Sequence, residues 1–244
     1  MVESLKWGRP TAFFAVPRVW EKLELVLREQ MLKASNDEKT LATWAQGYGT
    51  AHVHAMLNKT ETPLLYGVAN SLFLSKIKGT IGLDQSESFY FGAAPLKKSS
   101  SDFFTSLDIP LYNLYGLSET TGCHVLHNNR KFHLNSSGYS MPGCDTKIDN
   151  PDAEGDGEIL LRGRNTMIGY LKNEKATRDA LTHDGFLKSG DKGRLDEQGF
   201  LKITGRIKEI IITAGGENIA PVAVEDKFKL ECEPCSNIMM VGEG

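Results

Sequence analysis

From Ser88 to Gly116 the sequence changes period twice, and that change constrains the fold more than any other feature. Residues 88–91 are a short apolar run that Gly92 breaks. Residues 96–107, carrying Phe103 and Phe104, predict a helix, and 110–115 predict a second strand ending at a Tyr115-Gly116 turn. Strand, turn, helix, strand, turn is the order of a parallel sheet, because parallel neighbours need a crossover. In open sheets of this kind ligands gather at the carboxyl ends of the strands. Those ends are the first place to look for chemistry.

Two clusters stand there. Gly92, Ala93, Ala94 and Pro95 follow the first strand. Small residues let backbone approach a flat ligand, and they equally suit a tight strand-to-helix turn. After the second strand come Ser118, Glu119, Thr120, Thr121 and Gly122. The aromatic face of Tyr115, a backbone hinge at Gly116, hydroxyls for phosphate and a carboxylate suited to Mg²⁺ together fit a nucleotide site. Taken alone, the same stretch is equally an ordinary strand-to-turn junction.

Upstream the chain reads helical. Pro17 suits a helix start, where its missing N–H costs nothing. Val19, Leu23, Val26, Leu27, Met31 and Ala34 follow at three- and four-residue spacing. Leu41, Ala45, Tyr48, His52 and Met56 make a second, weaker stripe interrupted by Gly47 and Gly49. Leu64, Val68, Leu72 and Ile77 predict a third helix ending at Gly79. After Pro142 short β-rich runs dominate, at 146–148, 158–162, 186–188, 193–195 and 200–204. Asp156-Gly157, Asp184-Gly185 and Gln198-Gly199 separate them, which suggests a small barrel or sandwich. Residues 173–181 predict a short helix, 209–213 a strand and 221–230 a further helix.

Bulk numbers exclude several classes. The 244 residues carry a net charge of −3 at a pI near 6.1, with no Lys/Arg cluster, which argues against nucleic acid as partner. No run reaches the ~18 apolar residues a membrane span needs, and the first residues lack a signal-peptide core. Membrane contact, if any, is then peripheral. Four cysteines at 123, 144, 232 and 235 fit reduced thiols in an intracellular, cytoplasmic protein. Cys232 and Cys235 have redox or zinc spacing but no second pair, and the histidines lack ligand spacing, so hydrogen-bonded or surface roles are expected for them.

The motifs FGAAPL (91–96), LYNLYGLSETTG (111–122), GEILLRGRNTMIGYL (157–171), KSGD (188–191), ITGRIKE (203–209) and TAGGENIAP (213–221) occur in an order that resembles the acyl-adenylate-forming superfamily. Within it they resemble the fatty-acyl-CoA synthetases, and VPRVWEKL (16–23) with AGGENIAPVAVED (214–226) resembles the bubblegum-type long-chain branch. The resemblance runs from Arg9 onward. It implies an α/β fold: the later part of a large N-terminal adenylate-forming domain over 1–141, a β-rich subdomain over 142–206, and a hinge with the start of a C-terminal lobe over 207–244. It implies a ligase joining a long-chain fatty acid to CoA through acyl-AMP, with ATP, AMP, Mg²⁺ and CoA as cofactors and co-substrates. By the same resemblance Gly92, Ala93, Ala94 and Pro95 lie along the adenine, Asn113 and Leu114 at its edge, and Tyr115 on its face. Gly116 and Leu117 supply backbone near the reacting carboxylate. Ser118 meets the α-phosphate and Glu119 holds the metal. Asp191 and Arg206 contact the ribose, although Lys192 departs from the apolar residue expected beside them. Lys208 is the hinge, Gly215, Gly216, Glu217 and Asn218 line the CoA side, and Trp20 gates the acyl tunnel, with a core aromatic as the alternative reading of that residue.

The family's Ser/Thr/Gly-rich triphosphate loop and its late C-terminal lysine have no match in the sequence. The expectation is therefore the middle part of a larger ligase that turns over little by itself. Two other readings stay open: a non-catalytic nucleotide- or acyl-binding fragment, and an adenylate-forming enzyme with another acid substrate.

Overall fold

Pro17 opens the helix that organises the first part of the molecule. In this computed structural model, which describes residues 1–127, 132–133, 136–209, 211–212, 218–219, 221–232, 235 and 238–242, helix α1 (Val2–Gly8) and strand β1 (Ala12–Ala15) precede helix α2 (Pro17–Lys33), with Pro17 in its first turn. Trp20, Leu23 and Leu27 of α2 are fully buried. They pack with Phe89, Phe91, Phe104, Leu107 and Ile109 into one apolar core. Helix α3 (Asn36–Asn58) begins at a capping box, where Ser35 accepts from Glu38 N and the Glu38 carboxylate accepts from Ser35 N.

The glycines of α3 do not interrupt it. Its buried face is Ala42, Ala45, Gly49 and Val53, and a Cβ on Gly49 would overlap the Ser106 carbonyl, so the glycine is what lets this face close. The third expected stripe is displaced. Helix α4 (Tyr66–Ala69), a π turn (Asn70–Leu74) and helix α5 (Ser75–Thr80) follow one another, and the wider turn rotates the buried face to Ala69 and Leu74. Leu64, Val68 and Leu72, expected inside, are exposed. Asp108, buried and in the left-handed region at φ 58°, accepts from Tyr66 Oη and Lys78 Nζ, each at 2.8 Å, and lies 2.7 Å from His52 Nδ1. One carboxylate thereby ties three helices together.

The parallel pattern is present. Strand β2 (Ser88–Gly92), helix α6 (Lys98–Ser106) and strand β3 (Leu111–Leu117) form the crossover, with β1, β2 and β3 parallel and Gly92 opposite Leu114. Strand β1 is an addition that its short AFFA run did not announce. Strand β3 does not stop at a Tyr115-Gly116 turn: it continues to Leu117, and the turn is a 3₁₀ segment at Ser118–Thr120. The molecule divides into two compact units, Met1–Leu114 with His127–Leu134, and Tyr115–Leu126 with Asn135–Gly244, and β3 passes from one to the other.

In the second unit β4 (Gly122–Leu126) and β5 (Tyr139–Ser140) pair antiparallel. Strands β6 (Cys144–Asp149), β7 (Gly157–Gly163), β8 (Leu187–Leu195) and β9 (Leu201–Arg206) make one antiparallel sheet in sequence order, a meander and not a sandwich. The two short runs expected at 186–188 and 193–195 are one strand, β8, joined through a bulge. Asn173 caps helix α7 (Glu174–Ala180) by accepting from Ala176 N. Beyond a 3₁₀ turn (Ile207–Glu209), strands β10 (Ile211–Ile212) and β11 (Asn218–Ile219) pair, and helix α8 is Pro221–Glu231. Tyr115, Val125, Ile159, Leu161, Leu187 and Leu201 form this unit's apolar core. Among the described residues no helix is long and apolar enough to cross a membrane.

Candidate functional site

The second unit brings Tyr115, Asp191 and Arg206 into one line. Tyr115 and Asp191 are both buried, and the phenol donates to Asp191 Oδ2 at 2.6 Å. Arg206 Nε lies 3.3 Å from Asp191 Oδ1. Burial first, and the Asp191 charge second, push the phenol far above its ordinary pKa, so it stays a donor. The carboxylate is set by the sheet. Asp191 and Arg206 are register partners on β8 and β9. On the other side the ladder to β7 is interrupted between Lys188 and Lys192, with Gly190 at φ 74°. The amides freed there are taken up by side chains: Gly190 N donates to Glu158 at 3.2 Å and Asp191 N to Ser189 Oγ at 3.0 Å. Bulges of this kind re-aim a side chain out of the regular pleat.

A few residues along the chain, Gly116 runs so close to Gly122 that any Cβ would overlap its carbonyl. The tight return presents Ser118 and Glu119. The Ser118 hydroxyl is exposed and Glu119 is half-buried. Fully buried Thr120 accepts from Leu117 N at 2.9 Å and closes the turn, and Thr121 takes the left-handed conformation at φ 57°. The turn is backed by the chain at 165–170. Asn165 Nδ2 donates to the Thr120 carbonyl at 3.0 Å, Met167 N to the Glu119 carbonyl at 2.7 Å, and Tyr170 Oη to Glu119 Oε1 at 2.8 Å. That last bond is the main cause of the raised Tyr170 pKa.

This arrangement offers a buried carboxylate and, separately, an exposed serine beside a half-buried glutamate on a turn closed by hydrogen bonds. An ionised carboxylate has about four lone-pair sites, so Asp191 keeps acceptor capacity beyond Tyr115 and Arg206. Among the described residues no group of three or more His, Cys, Asp or Glu side chains could cage a metal. A cation at Glu119 would draw its remaining ligands from elsewhere, as Mg²⁺ does when one or two carboxylates share it with phosphate oxygens.

The model of the AMP-binding enzyme family matches residues 1–171. The chain belongs to the AMP-binding enzyme family. It is 46% identical to the long-chain-fatty-acid–CoA ligase ACSBG2 of Xenopus laevis over 98% of this chain and 33% of that protein. Against human ACSBG2 the identity is 42%, covering 100% of this chain and 37% of the relative. Against human ACSBG1 it is 40%, covering 100% and 34%. The chain thus spans about a third of the length of these relatives. Among solved structures it is similar to the O-succinylbenzoate coenzyme A synthetase MenE of Bacillus subtilis in complex with ATP and magnesium, with TM-score 0.55 and 29% identity over 62% of this chain and 32% of that one. ATP-bound MatB of Rhodopseudomonas palustris gives TM-score 0.56 and 26% identity over 66% and 34%. The α/β fold class and the resemblance to long-chain fatty-acyl-CoA synthetases are borne out.

Tyr115, Asp191 and Arg206 meet; Ser118 and Glu119 share one turn, reached through Gly116 and Leu117. Gly92, Ala93, Ala94, Pro95, Asn113 and Leu114 belong to the first unit, where Gly92 and Asn113 lie on adjacent parallel strands and Ala93 is left-handed at φ 69°. Trp20 is fully buried, donates to the Tyr90 carbonyl at 3.1 Å and meets Phe13, Phe89 and Phe104 edge-on, so it packs as a core aromatic and the gate expectation draws no support from its setting. Lys208 is exposed in its 3₁₀ turn. Gly215, Gly216 and Glu217 lie outside the described residues, and Asn218 is in β11. Asn165 and Tyr170 were missed. Both stand in the GEILLRGRNTMIGYL motif, to which the sequence assigned no role.

Proposed function

We propose that this chain carries the adenosine-recognising part of a long-chain fatty-acid–CoA ligase, which joins fatty acid and CoA at the expense of ATP through acyl-AMP. The observation that carries the reading is the Tyr115–Asp191–Arg206 line in a chain 46% identical to an ACSBG2 ligase. Asp191 would accept from a ribose diol, with Arg206 beside it fixing the carboxylate. The Tyr115 ring would stack on the base, which by alanine substitution is worth about 1–3 kcal/mol. Gly92, Ala93, Ala94, Pro95, Asn113 and Leu114 would border the adenine. The exposed Ser118 hydroxyl would donate to the α-phosphate, and Gly116 and Leu117 would bring backbone to the reacting carboxylate.

Mg²⁺, when bound, would spread phosphate charge, and Glu119 is the carboxylate that would hold it. The chemistry left to the protein is positioning and charge neutralisation. CoA would follow at the side of Gly215, Gly216, Glu217 and Asn218 once the hinge at Lys208 turns. The segments 1–141, 142–206 and 207–244 would be, in turn, part of the large α/β domain, its β-rich subdomain, and the hinge with the start of the C-terminal lobe. A cytoplasmic protein in peripheral contact with intracellular membranes suits a lipid substrate.

Calorimetry with AMP on the full chain tests this. AMP should bind, and Tyr115→Ala should lower its affinity about 10-fold or more, the equivalent of the stacking contribution. AMP affinity unchanged by both Tyr115→Ala and Asp191→Ala would sink the reading.

A further inference from the structure

The stretch 165–170 has no part in the reading above, yet it grips the Ser118–Glu119 turn at four points. Two bonds hold the turn's backbone and one its Thr121 hydroxyl. Asn165 Nδ2 donates to the Thr120 carbonyl at 3.0 Å, Thr121 Oγ1 donates to the Asn165 carbonyl at 2.9 Å, and Met167 N donates to the Glu119 carbonyl at 2.7 Å. The fourth is different in kind, because Tyr170 Oη reaches the Glu119 carboxylate itself, at Oε1 and 2.8 Å. Tyr170 is held in turn. Its amide donates to Thr177 Oγ1 at 2.8 Å and its carbonyl accepts from Asn173 N at 3.1 Å, which moors it to the start of α7.

A glutamate with its backbone fixed still has three rotatable side-chain bonds, and ordering such a side chain costs conformational entropy. A phenol bonded to one carboxylate oxygen removes most of that freedom before any ligand arrives. It leaves the charge in place, since a neutral donor does not compete as a second cation would. It engages one oxygen and leaves Oε2, which has no hydrogen bond among the described residues, for a hard cation. Carboxylate ligands are ordinarily oriented by such neighbours, and losing one typically costs 10–100-fold in metal affinity.

We infer that Tyr170 is a positioning residue, whose hydroxyl aims the Glu119 carboxylate so that one oxygen is presented to the divalent cation accompanying a nucleotide's phosphates, while Asn165 and the Met167 amide hold the turn beneath it. The inference rests on the nucleotide reading of the same site.

The test uses the full chain, Mn²⁺ with ATP followed by electron paramagnetic resonance, and AMP in chelator followed by calorimetry. Tyr170 is partly exposed, so Tyr170→Phe removes one oxygen and leaves the packing. Tyr170→Phe should bind AMP without metal like the unchanged chain and hold Mn²⁺–ATP about 10-fold more weakly. Glu119→Gln should weaken Mn²⁺–ATP further, and the double variant should be no worse than Glu119→Gln alone, because both changes act through one carboxylate. Hydrogen exchange of the 118–121 amides should be unchanged in Tyr170→Phe and faster in Asn165→Ala, which separates aiming the carboxylate from holding the turn. Normal Mn²⁺–ATP affinity in Tyr170→Phe, with AMP binding intact, overturns the role of Tyr170 and spares the nucleotide reading. No binding of AMP or Mn²⁺–ATP by the unchanged chain overturns the nucleotide reading and this inference together.

Discussion

The Tyr115 hydroxyl and the Tyr115 ring have separable tasks. The hydroxyl satisfies a buried carboxylate at 2.6 Å. Hydrogen bonds to charged groups contribute about 1.5–3 kcal/mol. Tyr115→Phe is therefore expected to lower stability by roughly that amount in urea denaturation, softened to the extent that Arg206 closes on Asp191. The ring survives this change, so AMP affinity should fall far less than in Tyr115→Ala. A Phe variant as stable as the original would mean that the bond contributes nothing net. The resemblance put Tyr115 and Asp191 on one nucleotide, but their direct bond was not foreseen. They are separated by 76 residues, and nothing periodic links them. What the sequence did carry was their residue types within motifs, and hence the family. The Tyr170–Glu119 contact, across 51 residues, was hidden for the same reason.

At the level of elements, legibility followed period. Helices α2 and α6 were readable because each buries a face at a regular spacing, and strands β2 and β7 because each is a short apolar run between turn residues. The failures lie where geometry departs from a fixed period: the π turn at Asn70–Leu74 rotates one face out of phase, and the interrupted ladder splits β8 into two apparent runs. Helix α3 was legible as a helix but not in the face it closes, because glycine marks either a break or a close approach and the sequence cannot say which. The two glycines of α3 make a paired test. Gly47 has open space where a Cβ would go, whereas Gly49 faces the Ser106 carbonyl. Gly47→Ala should stabilise by about 0.5–1 kcal/mol through helix propensity. Gly49→Ala should destabilise by about 1–3 kcal/mol, as overpacking does. Thermal melts of the two variants should move in opposite directions, and shifts of the same sign would refute the assignment of the α3 interface.

For the molecule as a whole, the clearest pH signature comes from His127. Burial takes its pKa down to about 4, against backbone hydrogen bonds at Asn113 and His133 that act the other way. The fold thus favours the neutral ring, while the unfolded chain takes up a proton near pH 6.5. The stability from this residue is fully present above that value and declines as pH falls through the folded value. The slope is about 1.4 kcal/mol per pH unit, for a total of about 3 kcal/mol. Urea titrations at pH 7, 5.5 and 4 should show this decline, and a His127→Gln variant should show a shallower one. Equal slopes in the two proteins would assign the acid sensitivity elsewhere. This behaviour was not legible beforehand: the histidine spacing suggested hydrogen-bonded or surface residues, and His124 lies 3.1 Å from the Asp145 carbonyl, but burial depth is a property of the assembled unit.

The break in the ladder beside Asp191 has one more consequence. Where sheet pairing is regular, a strand's backbone is fixed by its neighbours and point changes alter little beyond themselves. Here the amides of Gly190 and Asp191 are held by the side chains of Glu158 and Ser189 instead. The height and tilt of the buried carboxylate are thus adjustable from two residues that never touch it, and selection acting on Glu158 or Ser189 can retune the acceptor without altering the acceptor.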